Sequence, residues 1–309
     1  MSYDLFFIPA DMPLDLGMLK TFLSERRFYH TGKNHAVYDN PATDVKFVWE
    51  FGEELPGAQA QSAPARGAKA VLSVDYMNPT FFAREAAIEV DALMRSFDLK
   101  VYDPQEDRMS ESPFDADAYE DSYARHAGAM AMSLIENAKP SDIPPVCPRE
   151  TLEMVWDWNY WHDDLKLGLE EDLFVPTIQF ARYDGTLHTA VVWGDGVPAL
   201  LPKVDMVLIA HLRIAPETGL LRRQKPFYEL VPYDAFAHDF RGFFSPDPEL
   251  GGGLVCPNER RVEVLDYLLQ RKPGIVMNFD APARKRIITT HSPGQVLDRE
   301  LLGAMAPAA

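Results

Sequence analysis

A histidine followed by two acidic residues, His162-Asp163-Asp164, is the part of this sequence that comes closest to a catalytic or metal-binding group. A zinc site needs further ligands at a regular spacing, such as His-Glu-x-x-His or Cys-x-x-Cys, and the sequence contains neither motif. A phosphate-binding P-loop and a Gly-x-Ser-x-Gly nucleophile motif are also missing. We therefore predict no metal and no cofactor, and the sequence singles out no catalytic residue.

Aromatic and acidic residues surround that histidine. Three tryptophans and a tyrosine fall within six positions, and seven carboxylates lie between Glu153 and Asp172. Aromatic side chains give a large contact area at low entropic cost, and carboxylates beside them suit a cationic partner. In the alternative interpretation the tryptophans anchor a helix in the fold while the acids face water. The candidate partner-binding residues are Asp157, Trp158, Tyr160, Trp161, Asp163 and Asp164, with Asp115 and Asp117 from a second acidic segment at 103–121.

The elements that carry these residues follow from hydrophobic patterning. Residues 1–139 show the order strand, helix, three strands, helix and strand, followed by an acidic helix for which Ser112 and Asp115 are possible starts. In the segment after Pro79, Phe82 and Val90 lie on one apolar stripe, and Glu85 and Glu89 fall largely off it. Short connections predict a ferredoxin-like sheet with helices on one face and an extra strand.

A proline-rich stretch at 140–148 is the candidate linker to a second lobe at 149–309. Asp184-Gly185 joins two runs of strand-like residues and predicts a hairpin. Further apolar runs and helical patterns predict an antiparallel β-meander with flanking helices. The predicted fold class of the whole chain is α+β.

The charge balance narrows the range of partners. The chain has 47 acidic and 30 basic residues, a net charge of −17 and a pI near 4.8. Such a field repels nucleic acid and anionic membrane surfaces, and it attracts a basic protein or a cation. In the alternative interpretation the acidity serves only to keep the protein soluble. The first residues lack the basic and apolar regions of a signal peptide, and no apolar run is long enough to span a membrane. We expect a cytoplasmic protein with Cys147 and Cys256 reduced.

Two segments of the N-terminal third carry a resemblance. Tyr3-Asp4-Leu5-Phe6-Phe7 and the later stretch VLSVDYMNPTFFAREAAIEV at 71–90 resemble bacterial proteins of the toxin-immunity type. The resemblance implies an intracellular, non-catalytic antidote that occludes a secreted toxin encoded beside it.

The leading hypothesis is an immunity protein that neutralises a basic bacterial toxin domain with an acidic, aromatic surface. One alternative is a hydrolase-like enzyme, in which carboxylates and His162 line a pocket between the two lobes. The other alternative is a non-catalytic scaffold or regulatory module. The sequence leaves the oligomeric state open.

Overall fold

The computed structural model describes residues 1–55, 63–110, 113–136, 138–139, 143–212, 217–218, 223–224, 227–248, 251–277 and 288–305. Helices and mainly antiparallel sheets coexist along the chain, which confirms the α+β class. The chain divides into two compact units. The first is Met1–Leu152 joined by the C-terminal segment from Gly294, and the second is Glu153–Pro293.

The first unit is built on a sheet of seven antiparallel strands. The strands are β1 (Ser2–Pro9), β2 (Tyr29–Thr31), β3 (His35–Asn40), β4 (Val45–Phe51), β5 (Ala70–Asp75), β6 (Leu99–Asp103) and β7 (Arg108–Ser110). The helices are α1 (Leu16–Glu25), α2 (Phe81–Ser96) and α3 (Ala116–Ile135). Across the sheet the strands follow the order β2-β3-β4-β5-β1-β6-β7.

The predicted ferredoxin-like arrangement is present at the centre of this sheet. Strand β1 lies between β5 and β6, which α2 connects, so the three strands form a split β-α-β unit. The short edge strands β2 and β7 add to the five strands predicted from the sequence. Each has only three residues, too few for an alternating pattern to be recognised.

Helices α2 and α3 pack on the same face of the sheet. The Tyr3 ring contacts Tyr119 of α3 edge-on at 5.4 Å, and Tyr38 donates a hydrogen bond of 2.5 Å to Glu85 of α2. The strand register places Tyr3 and Tyr38 on one side. On the opposite face, Phe6 belongs to a separate apolar cluster with the residues that follow β4.

Two glutamates of α2 are buried, which corrects the expectation that they lie off the packed side. Glu85 is 0% exposed and accepts hydrogen bonds from Tyr38 and Asn40. Glu89 is 6% exposed and forms a bidentate pair with Arg26, at 2.6 and 2.8 Å. Buried carboxylates need such partners, and both glutamates find theirs on other elements.

The C-terminal segment completes the first unit. Strand β8 (Val146–Cys147) pairs in parallel with β20 (Leu297–Asp298), so part of the predicted linker is a strand. Residues 140–142 of that linker lie outside the described residues. The Asp298 carboxylate accepts hydrogen bonds from the backbone N–H and hydroxyl of Thr80, at 2.8 and 2.6 Å, where α2 begins. The C-terminal segment therefore caps a helix that is distant in sequence.

The second unit contains a mixed six-stranded sheet with smaller sheets beside it. Its helices are α4 (Arg149–Gly168), whose first residues belong to the first unit, α5 (Tyr233–Asp239) and α6 (Arg261–Gln270). The main sheet has the order β18-β15-β12-β10-β9-β19. Its strands are β9 (Gln179–Tyr183), β10 (Thr186–Gly194), β12 (Met206–His211), β15 (Phe227–Pro232), β18 (Ile275–Met277) and β19 (Ile288–His291). The smaller strands are β11 (Ala199–Leu201), β13 (Glu217–Thr218), β14 (Arg223–Gln224), β16 (Ser245–Asp247) and β17 (Gly253–Cys256).

The sheet is not a plain antiparallel meander, although the Asp184-Gly185 hairpin between β9 and β10 is present as predicted. Strands β10 and β12 pair in parallel. A parallel pair needs a crossover connection, and residues 195–205 provide it by leaving the sheet to form β11, which pairs with β17. Within the described part of the chain, no helix is long and apolar enough to cross a membrane.

Candidate functional site

Helix α4 carries most of the predicted binding residues, and its inner side fixes it to the second unit. Asn159 is 1% exposed and its side-chain amide exchanges two hydrogen bonds with the backbone of Ile178, at 2.8 and 2.7 Å. The indole N–H of Trp158 donates to the carbonyl of Pro176 at 2.8 Å. Its ring packs against a cluster formed by Leu173, Val175 and Leu200. Trp158 therefore anchors the helix.

An aromatic stack connects this buried side to the surface. Trp156 is buried, and its ring stacks on Tyr160 with centroids 5.1 Å apart. Tyr160 in turn meets Trp161 edge-on at 4.9 Å. Both geometries are favourable for aromatic pairs. Trp161 is thus held by a neighbouring ring although its own side chain is 49% exposed.

The exposed side of α4 combines apolar and acidic groups. Met154 and Trp161 are 41% and 49% exposed, and Asp157 and Asp164 are exposed beside them. The spacing of three, four and three positions places these four residues on one side of the helix. We call Met154, Asp157, Trp161 and Asp164 the outer face of α4. It presents a tryptophan with a carboxylate about one helical turn away in each direction.

His162, which the sequence suggested as a catalytic or metal-binding residue, lies next to the outer face of α4. His162 Nε2 is 3.2 Å from the Asp163 carboxylate, its neighbour on the helix. Among the described residues, no group of three His, Cys, Asp or Glu side chains is placed to hold a metal ion. The pair of Asp163 and His162 borders the outer face as a local polar contact.

Asp115 and Asp117 belong to the first unit, whereas the other candidate residues belong to the second. Asp115 is the residue before α3 and accepts a hydrogen bond of 3.0 Å from the backbone N–H of Ala118. This is the geometry of a helix N-cap, and it confirms Asp115 as the start of the helix. Asp117 lies exposed in the first turn, where an acidic residue favours the helix dipole.

The structure also contains a buried polar network that joins β1, β6 and α3. The Tyr3 hydroxyl donates to the Asp103 carboxylate and lies 2.6 Å from Ser122 Oγ, which donates to Glu106 at 2.7 Å. Burial raises the pKa of both Tyr3 and Asp103 above their ordinary values. The sequence carried no signal for this network because Tyr3 is 100 positions from Asp103 and 119 from Ser122.

A second missed group is a buried ion pair in the second unit. Glu229 is 0% exposed and accepts from the Arg271 guanidinium at 2.6 Å and from the Gly274 N–H at 2.7 Å. His211 Nε2 lies 3.6 Å away. Burial alone would raise the pKa of Glu229, but the nearby His211 imidazole and the hydrogen bonds from Arg271 and Gly274 together outweigh burial and hold its pKa at about 2. The carboxylate is thus held in its ionised form.

The two cysteines are unsuited to nucleophilic chemistry. Both are free and buried. Burial raises the pKa of the Cys147 thiol to about 12 and that of Cys256 to about 11. Because the reactive species is the thiolate, thiols with such pKa values stay protonated and inert near neutral pH.

No known family model, curated protein or solved structure matches this chain in comparisons of its sequence and fold.

Proposed function

We propose that this protein is an antidote of the toxin-immunity type, which docks the outer face of α4 on a basic toxin domain and blocks the active site of that domain. The observation that supports the proposal is the half-exposed indole of Trp161, held by Tyr160 and flanked by Asp157 and Asp164. A pre-positioned tryptophan loses little conformational entropy on binding, which is typical of a binding hot spot.

Charge supports the same type of partner. A basic surface is attracted by the net charge of −17 over the whole molecule, and the two aspartates of the outer face provide local contacts for lysine or arginine side chains. Long-range attraction speeds the encounter, whereas the Trp161 indole, once it is covered by the partner, slows dissociation. The two kinds of residue thus contribute to different rate constants.

The cytoplasm is the compartment in which such an antidote would act. Neither cysteine forms a disulfide, and both thiols are buried, which agrees with a reducing environment. An antidote in this compartment protects the producing cell before its toxin is exported.

Co-expression with the product of the adjacent gene tests the proposal. We expect that product to be toxic alone and harmless with the wild-type chain. A triple variant, Trp161→Ala with Asp157→Asn and Asp164→Asn, should fail to protect because it lacks the indole and two charges.

The matched control is Asp184→Asn with Asp266→Asn, which removes the same two charges from exposed positions of the second unit outside α4. It should protect as well as the wild type. Full protection by the triple variant, with both proteins folded, would show that the outer face of α4 is not the binding surface. An adjacent product that is not toxic would contradict the antidote function itself.

A further inference from the structure

A separate apolar groove of about 480 Å³ lies within the second unit. It is bordered by the carboxyl ends of β10 and β12 and by the first turns of α6. These two strands are parallel, and the carboxyl ends of parallel strands are a common place for ligands to bind. The volume is within the range of small-molecule sites, about 300–1,000 Å³. Residues that line it include Phe174, Val192, Val197, Leu212, Arg261 and Leu265.

Exposed apolar side chains form the walls of the groove, and hydrogen bonds hold the backbone of one of them in place. Phe174 and Leu212 are 42% and 43% exposed, and both line the groove, so their exposed apolar surfaces lie side by side. The backbone of Phe174 is held beside β11 by hydrogen bonds of 3.0 Å to the Pro198 carbonyl and 2.9 Å from the Leu200 N–H. The side chains on either side of Phe174 are buried in the Trp158 cluster. The Phe174 ring therefore points away from that cluster and into the groove.

A turn at Gly196 packs closely against α6 beside the groove. Gly196 has φ of +67°, and a Cβ there would approach the Leu265 Cα to 3.2 Å. Any larger residue would thus be strained and would push the turn away from the helix. The close contact holds the turn after β10 against α6, whose Leu265 lines the groove.

One positively charged side chain, Arg261, lies at the edge of the apolar groove. Within the described part of the chain, Arg261 has no ion pair, whereas the adjacent Arg260 is bound to Glu263 at 2.6 Å. The acidic group that lines the groove, Asp195, is engaged with the backbone N–H of Leu212 at 2.9 Å. The guanidinium of Arg261 is thus available to an anion next to the groove.

We propose that this groove binds a small molecule with an aliphatic or aromatic body and a single carboxylate. The body lies against Phe174, Leu212 and Leu265, and the carboxylate pairs with Arg261, which matches carboxylate geometry with two parallel N–H donors. This binding does not depend on the proposed antidote function, because it uses residues outside the outer face of α4.

Isothermal titration of the full chain with decanoate, kept below its micelle concentration, tests the proposal. We expect saturable one-to-one binding of decanoate. Decanol has the same body without the charge and should bind about tenfold more weakly, since a hydrogen-bonded charge pair typically contributes that much. Decyltrimethylammonium, which carries the opposite charge, should bind more weakly still.

Two arginine variants provide the internal comparison. Arg261→Gln should weaken decanoate binding about tenfold and leave decanol binding unchanged. Arg260→Gln removes the same charge from the neighbouring position and should leave both unchanged. Leu212→Asp should abolish decanoate binding through charge repulsion at the apolar wall. The proposal is wrong if decanoate does not bind, if it binds no better than decanol, or if the two arginine variants weaken it equally.

Discussion

Trp158 and Trp161 are three positions apart on one helix, yet the structure gives them different environments. The indole N–H of Trp158 is bonded to Pro176 and its ring packs in a core cluster, whereas Trp161 is half exposed. The sequence left open whether the tryptophans of this segment anchor a helix in the fold or bind a partner. Trp158 serves as an anchor, and Trp161 is the residue available to a partner.

This difference predicts a large effect on stability for one alanine substitution and a small effect for another. Trp158→Ala should lower the free energy of unfolding of the second unit by about 3 kcal/mol, because it removes a packed ring and leaves the Pro176 carbonyl without its donor. Trp161→Ala should change it by less than about 1 kcal/mol, because much of the indole is already in water. Urea denaturation followed by tryptophan fluorescence measures both. Equal losses of stability would contradict the assignment of roles.

Glu229 predicts a pH dependence of stability. Its pKa in the folded chain, about 2, lies below the ordinary value of 4.5. The ionised carboxylate therefore stabilises the fold above about pH 4.5, and this contribution, about 3 kcal/mol, is lost as the pH falls from 4.5 towards 2. In urea denaturation over this range, Glu229→Gln should be less stable than the wild type at neutral pH, with a difference that shrinks on acidification. A difference independent of pH would rule out this role of the ionised carboxylate.

The burial of two carboxylates is a property of single residues that the sequence did not predict. Glu85 and Glu89 sit in a helix whose apolar stripe was identified correctly, and a charged residue is normally assigned to the solvent side. Their partners, Tyr38, Asn40 and Arg26, are between 45 and 63 positions away. Burial of a charge depends on such a partner, and a single sequence does not reveal the pairing.

Elements were predicted best where the pattern was local. The segment of β1 is a short aromatic-rich run, α2 has an apolar stripe, and Asp184-Gly185 is a turn signal; the structure confirms all three elements. The parallel pairing of β10 with β12 depends on the path that residues 195–205 take outside the sheet, and the return of the C-terminal segment to the first unit depends on contacts with a distant part of the chain. No residue pattern within the segments themselves specifies those contacts.

The helix caps lead to a prediction about whole elements. Asp298 caps α2 from a buried position and also lies 3.3 Å from the Arg149 Nε, whereas the exposed Asp15 caps only the start of its own helix, α1. Asp298→Ala leaves buried donors unpaired and should destabilise α2 by about 2 kcal/mol. Asp15→Ala should cost α1 about 1 kcal/mol or less. Amide hydrogen exchange of the two helices measures both effects. Unchanged protection of α2 in Asp298→Ala would show that the capping is unimportant.

At the scale of the whole molecule, the charge composition predicts a basic partner. The structure then reduces the set of predicted binding residues to those that are exposed. The net charge of −17 and the acidic segments favour a basic partner. Of the residues predicted to bind it, Trp158 and Asp115 have structural roles, whereas Asp157, Trp161 and Asp164 form an exposed face. For the residues of α4, the side of the helix that packs on the fold decides which have structural roles and which are exposed. The acidic and aromatic composition of the segment did not determine that side.

The rates of binding to the purified product of the adjacent gene test the central claim most directly. We predict that Asp157→Asn with Asp164→Asn mainly lowers the association rate constant, because it weakens electrostatic attraction. Trp161→Ala should raise the dissociation rate constant by about 30-fold or more, as expected for a hot-spot residue. Wild-type rate constants for both variants would contradict the claim that the outer face of α4 is the binding surface.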